Sequence, residues 1–90
     1  MNKVYTQITL SDGTIADILE PKGIHYFNVM LNEDKTLAGT VKGFLVELIR
    51  INNQKKSIQY FEELPINDAV LLVDCINIII TKIEDLKSNF

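Results

Sequence analysis

Few residues in this chain are of types that do chemistry. The candidates are His25, Cys75 and the adjacent carboxylates Glu62-Glu63 and Glu84-Asp85. A lone histidine with no cysteine or second histidine near it offers no metal-ligand spacing. Its best uses are at the surface or as a helix cap. Adjacent carboxylates on a helix point in different directions and stay solvated. Cys75 falls between an apolar face and a polar stripe, the setting of a packed thiol rather than a nucleophile. There is no glycine-rich phosphate loop, no CxxC or HExxH pattern, and no serine or cysteine at a recognisable spacing from the histidine. The chain therefore reads as a non-enzymatic binding protein, with no cofactor and no metal.

Binding shifts attention to apolar side chains that one short chain has no means to cover. From Ala69 to Leu86, apolar residues recur at three- and four-residue steps: Ala69, Leu72, Val73, Ile76, Ile79, Ile80, Ile83 and Leu86. That spacing predicts one buried face of a helix about twenty residues long. Pro65 suits its first turn, and Asp68 sets a carboxylate against the positive helix end. Val70, Leu71 and Ile78 project toward the opposite side, beside Asp74 and Asn77. They are the candidate partner-binding residues, unless the N-terminal hairpin folds over them.

The rest of the chain must position this helix. Val4 to Leu10 and Ile15 to Glu20 are extended runs, separated by Ser11-Asp12-Gly13-Thr14, where Gly13 accepts positive φ without a Cβ clash. They predict a β-hairpin. A two-residue turn sets Ile8 against Asp17, whereas a three-residue turn with Gly13 as a bulge sets Ile8 against Ala16 and Thr6 against Ile18. Pro21-Lys22-Gly23 ends the second strand. Ile24, Phe27, Met30 and Leu31 then mark a short helix. Thr36 caps a second helix running to Arg50 or Ile51, with an apolar stripe of Leu37, Val41, Phe44, Leu45 and Leu48. Gly39 and Gly43 lie four apart on it, each costing about 1 kcal/mol against alanine. That cost predicts close approach by another backbone, either the long helix or a second subunit. Asn52 to Ser57 reads as a polar loop, and Ile58, Phe61 and Leu64 as a short turn of helix before Pro65.

The predicted fold is α+β in a single domain spanning 1–90. A β-hairpin (about 3–20) is followed by a small bundle of three to four helices (about 24–87) with a long C-terminal helix. Composition agrees: 90 residues, 47% apolar and 23% charged, suit one small core. The net charge is −3 and Lys55-Lys56 is the one adjacent basic pair, so no phosphate-binding footprint and no nucleic-acid partner are expected. One cysteine fits a reducing compartment. The N-terminus lacks the apolar run of a signal peptide. Asp74 and Asn77 interrupt the longest apolar stretch, so no membrane span is expected and a cytoplasmic protein is.

The order of motifs carries a resemblance. Thr9-Leu10-Ser11-Asp12-Gly13-Thr14 in a hairpin, Glu20-Pro21-Lys22-Gly23 opening a helical region, and Leu64-Pro65-Ile66-Asn67-Asp68 before a final helix resemble the small tail assembly chaperones of long-tailed phages, of the Mu-like and P2-like type. The chain departs from that pattern at Ile24-His25-Tyr26, where a more charged start is usual, and at Pro65, where serine or threonine is commoner. The resemblance implies a protein that binds the tape measure protein during tail morphogenesis, acts in the bacterial host cytoplasm and is absent from the finished virion. Val70, Leu71 and Ile78, with Gly39 and Gly43, are the residues expected to meet that partner. The alternative is a small oligomeric adaptor or regulator whose apolar helix surface is its own subunit interface; a homo-oligomer is expected under either reading.

Overall fold

The computed structural model describes residues 3–88. Strands β1 (Val4–Thr9) and β2 (Ile15–Leu19) form the N-terminal hairpin. Helices α1 (Gly23–Met30) and α2 (Leu37–Leu48) follow. The chain then returns to the sheet as β3 (Ile49–Ile51) and β4 (Gln54–Lys55), and ends with α3 (Ile58–Glu62) and the 23-residue α4 (Ile66–Ser88). The fold is α+β, with an antiparallel sheet in the order β1-β2-β3-β4.

The hairpin adopts the three-residue turn. Leu10 N–H donates to Thr14 O at 2.8 Å, Gly13 N–H donates to Leu10 O at 2.9 Å, and Gly13 sits at φ +86°. Ile8 accordingly pairs with Ala16 and Thr6 with Ile18, which turns Ala16 and Ile18 fully into the core. Asp12 closes the turn by accepting the Thr14 N–H at 2.9 Å.

Two sequence expectations fail between residues 48 and 57, for one reason. The second helix ends at Leu48 rather than Arg50 or Ile51, because Ile49 turns to extended geometry (φ −100°, ψ 130°). Ile49, Arg50 and Ile51 then pair with Ile18, Asp17 and Ala16. Burial alternates along them, with both isoleucines inside. Asn52 and Asn53, at φ 50° and 69°, make a two-residue turn, and Ile51 pairs with Gln54. Asparagine tolerates this left-handed geometry, as the tightest hairpin turns require. The expected six-residue loop is thus partly a second hairpin.

One core joins sheet and helices: Ala16, Ile18, Ile49 and Ile51 from the strands, Phe44, Leu45 and Leu48 from α2, Phe61 from α3, and Leu72, Ile76 and Ile79 from α4. The long helix starts where expected, with Ala69 N–H donating to Pro65 O at 3.0 Å. Leu86 departs from the predicted buried face and is 60% exposed. A 23-residue helix is about 35 Å long and outruns the elements that cover its first turns.

Thr36 caps α2 by accepting the Gly39 N–H at 3.1 Å. In α1, His25 is buried and its Nδ1 accepts the Lys22 N–H at 2.9 Å, so it serves as a cap. Val29 is the other buried residue of that helix. Ile24, Phe27, Met30 and Leu31, whose spacing marks the helix, face solvent.

Candidate functional site

An apolar groove of about 450 Å³ lies between α2, α3 and α4. One wall is Leu37, Val41 and Leu45 of α2, the floor is Ile58 and Phe61 of α3 with Leu64 beyond it, and the other wall is Ala69, Leu72 and Val73 of α4. The sequence explains why it stays open. Only five residues long, α3 gives way to Leu64-Pro65 and leaves the space between the two longer helices unfilled. Ala38 and Ala69, each a single methyl, deepen the walls. The volume falls within the range of sites that take up ligand or side-chain groups.

Polar groups are confined to the edges. Lys42 and Glu62 reach across from α2 and α3 to within 3.8 Å of each other, each about half exposed. Such a surface pair is worth little and does not hold the groove shut. Asn77 is the remaining polar lining residue. Nothing here assembles a nucleophile, a base and an orienting group; what the groove offers is desolvation of apolar side chains.

The chain has no match. Comparisons with protein families, with curated proteins and with solved structures all returned nothing. The site is therefore read from its own geometry.

The structure separates the partner-binding candidates. None of Val70, Leu71 and Ile78 lines the groove; Val70, 49% exposed, comes nearest by helical geometry, next to the lining residues Val73 and Asn77, with Ile66, 78% exposed, one turn before it. Leu71 and Ile78, 47% and 54% exposed, project roughly 80–100° further around the helix and do not line the groove. The hairpin leaves both uncovered; it meets α4 at Asp68 through Ser11 and at Lys82, whose Nζ sits 5.3 Å from the Tyr5 ring centroid.

For Gly39 and Gly43 the expected reason is corrected. Within the chain the close approach comes from the 32–34 loop and from Val29 of α1, not from α4. A Cβ on Gly39 would meet the Asp34 side chain and lie 2.6 Å from the Asp34 carbonyl oxygen; one on Gly43 would lie 2.5 Å from Asn32 Nδ2 and 3.3 Å from Val29. The groove itself was half legible: Leu37, Val41 and Leu45 stand out as a stripe, but that they face a gap depends on the shortness of α3.

The chemistry-bearing residues lie elsewhere. Burial and Asp74 raise the Cys75 thiol above its ordinary value, as suits a packed group. Burial works against the charge on Glu47, but hydrogen bonds from Asn28 and Lys55 outweigh it and lower its pKa. Burial lowers the His25 pKa, opposed by Glu47 and reinforced by Arg50, Lys22 and Lys55. Among the described residues, no group of three or more His, Cys, Asp or Glu side chains is placed to hold a metal ion, and no helix is long and apolar enough to cross a membrane.

Proposed function

We propose that this protein is a non-enzymatic helix-binding chaperone that takes an apolar segment of a partner into the groove between α2, α3 and α4. The observation that carries the reading is the groove: an open apolar trough with polar groups only at its edges, which suits the hydrophobic side of an amphipathic helix. Ile66, Leu37 and Val70 add exposed apolar surface along its margins.

The finer reading is that the partner is a phage tape measure protein and that the chain is a tail assembly chaperone, working in the host cytoplasm and left out of the virion. It rests on the resemblance of Thr9–Thr14, Glu20–Gly23 and Leu64–Asp68 to that family. A long, largely helical protein prone to aggregation is the kind of client an apolar groove serves.

Co-expression with a tape measure protein from the same gene neighbourhood tests it, followed by pull-down and size-exclusion chromatography with light scattering. The expected result is a soluble complex, with the long protein insoluble when expressed alone. A client that neither binds nor gains solubility overturns the reading.

A further inference from the structure

Helix α1 carries an apolar stripe that the groove does not use. Ile24, Phe27, Met30 and Leu31 are 59%, 62%, 53% and 80% exposed, and none of them lines the groove. No acidic or basic residue falls within Gly23–Met30, whose one titratable histidine is buried. We propose that this stripe is the interface of a symmetric homodimer, in which α1 of one copy lies antiparallel to α1 of the other across a two-fold axis at Phe27.

Three features select a second copy. The first is area. Four large apolar side chains, each more than half exposed, present roughly 500 Å² per copy, so two fully apposed stripes bury about 1,000 Å², the size of a weak, reversible specific interface. The second is self-match. Phe27 lies near the middle of the stripe, and antiparallel packing sets it against its own symmetry mate, with Ile24 of each copy against Met30 and Leu31 of the other. No charged side chain within α1 is forced against its own copy, as an isologous contact requires.

The third is charge at the ends. Lys22 precedes α1 and Glu33 follows it, and neither has an ion-pair partner in its own chain among the described residues. The helix is about 12 Å long, so antiparallel packing brings Lys22 of each copy beside Glu33 of the other, once at each end of the contact. The two helix dipoles then also oppose each other. A parallel arrangement would set Lys22 against Lys22. This inference stands apart from the client-binding reading, because α1 and the groove are different surfaces.

Sedimentation equilibrium of the purified chain, without any client, tests the proposal. The expected result is a species of twice 10.2 kDa at about 100 µM that dissociates on dilution. Phe27→Asp raises the dissociation constant about a hundredfold while leaving the far-ultraviolet spectrum, and the melting temperature at concentrations too low for the dimer, unchanged, since the side chain is exposed. Leu31→Asp, beyond the last helical turn, does the same and guards against a helix-specific folding defect. Lys22→Glu weakens the dimer, and Lys22→Glu combined with Glu33→Lys restores it, which fixes the antiparallel sense. A chain that is monomeric throughout, or a dimer indifferent to both Phe27→Asp and Leu31→Asp, overturns the proposal. Client capture by a monomeric Phe27→Asp variant leaves the groove reading intact, so the two ideas fail separately.

Discussion

Asp68 holds Ser11 at both oxygens: the Ser11 N–H donates to Oδ1 at 3.0 Å and the Ser11 hydroxyl donates to Oδ2 at 2.7 Å, across 57 residues of sequence. Asp68 is 3% exposed, in the first turn of α4, and Ser11 opens the β1–β2 turn. The pair therefore fixes the hairpin to the start of the long helix while supplying negative charge at the helix N-terminus. Asp68→Ala removes both acceptors and leaves the Ser11 N–H unpaired. A loss of about 2–3 kcal/mol in urea unfolding is expected, with Ser11→Ala costing only about 1 kcal/mol because its N–H bond survives.

Gly39 and Gly43 separate backbone propensity from close packing. Alanine in a helix interior is better than glycine by about 1 kcal/mol. At Gly39 the new methyl would collide with the backbone oxygen of Asp34, which cannot move without disturbing the residues that precede the Thr36 cap. Gly39→Ala is expected to destabilise by about 1–3 kcal/mol despite the propensity gain. At Gly43 the nearest obstacle is the end of the Asn32 side chain, which swings away. Gly43→Ala is expected to fall within about 0.5 kcal/mol of neutral, as thermal melts of the two variants would reveal.

The existence of the hairpin, the start of α4 and the Thr36 cap are legible because each is set by local chemistry: a glycine at positive φ, a proline without an N–H, a hydroxyl three residues before an amide. The hairpin register is not, since the turn residues fit two registers and the burial of Ala16 and Ile18 selects one. The end of α2 was not, because Leu48-Ile49-Arg50-Ile51 continues a helical stripe as well as it begins a strand. The pairing of Ile49 with Ile18 and Ile51 with Ala16 decides between them, and those partners lie about thirty residues away in sequence. The Asn52-Asn53 turn was a local signal that the surrounding polar residues obscured. On α4 the excess of apolar residues was readable, yet nothing local distinguishes Val70, beside a groove, from Ile78, facing open solvent. That difference is made by where α2 and α3 lie.

His25 makes stability depend on pH in a stated direction. Its Nδ1 must be unprotonated to accept the Lys22 N–H. Burial, the leading cause, lowers its pKa below the ordinary value of 6.5, and the facing charges are Glu47 from α2, Arg50 from β3, Lys55 from β4 and Lys22 itself. The unfolded chain binds the proton near 6.5 and the folded chain only at lower pH. Unfolding therefore takes up a proton between the two values, and stability falls as pH drops through that window. Urea midpoints are expected to decline from pH 7.5 to pH 5. Glu47, with a lowered pKa of its own, adds a further decline below its ordinary 4.5. His25→Gln, which offers a non-titrating acceptor, is expected to flatten the slope above pH 5 while keeping α1.

The groove and the outer face of α4 make opposite predictions for two changes that add the same charge to one helix. Val73 lines the groove and is partly buried, whereas Ile78 lies roughly 140° around the helix and is 54% exposed. Val73→Asp places a carboxylate where a client's apolar side chain would sit, and a buried charge without a partner costs several kcal/mol. Client affinity is expected to fall at least about a hundredfold, with a stability loss of about 1–2 kcal/mol because the side chain stays near water in the free protein. Ile78→Asp introduces the same charge outside the groove and is expected to change affinity less than about twofold. Titration of both variants with a soluble client fragment, after circular dichroism has confirmed their fold, checks this. If Ile78→Asp abolishes binding and Val73→Asp does not, the client lies on the outer face of α4, with Leu71 and Ile78, and the groove is not its site.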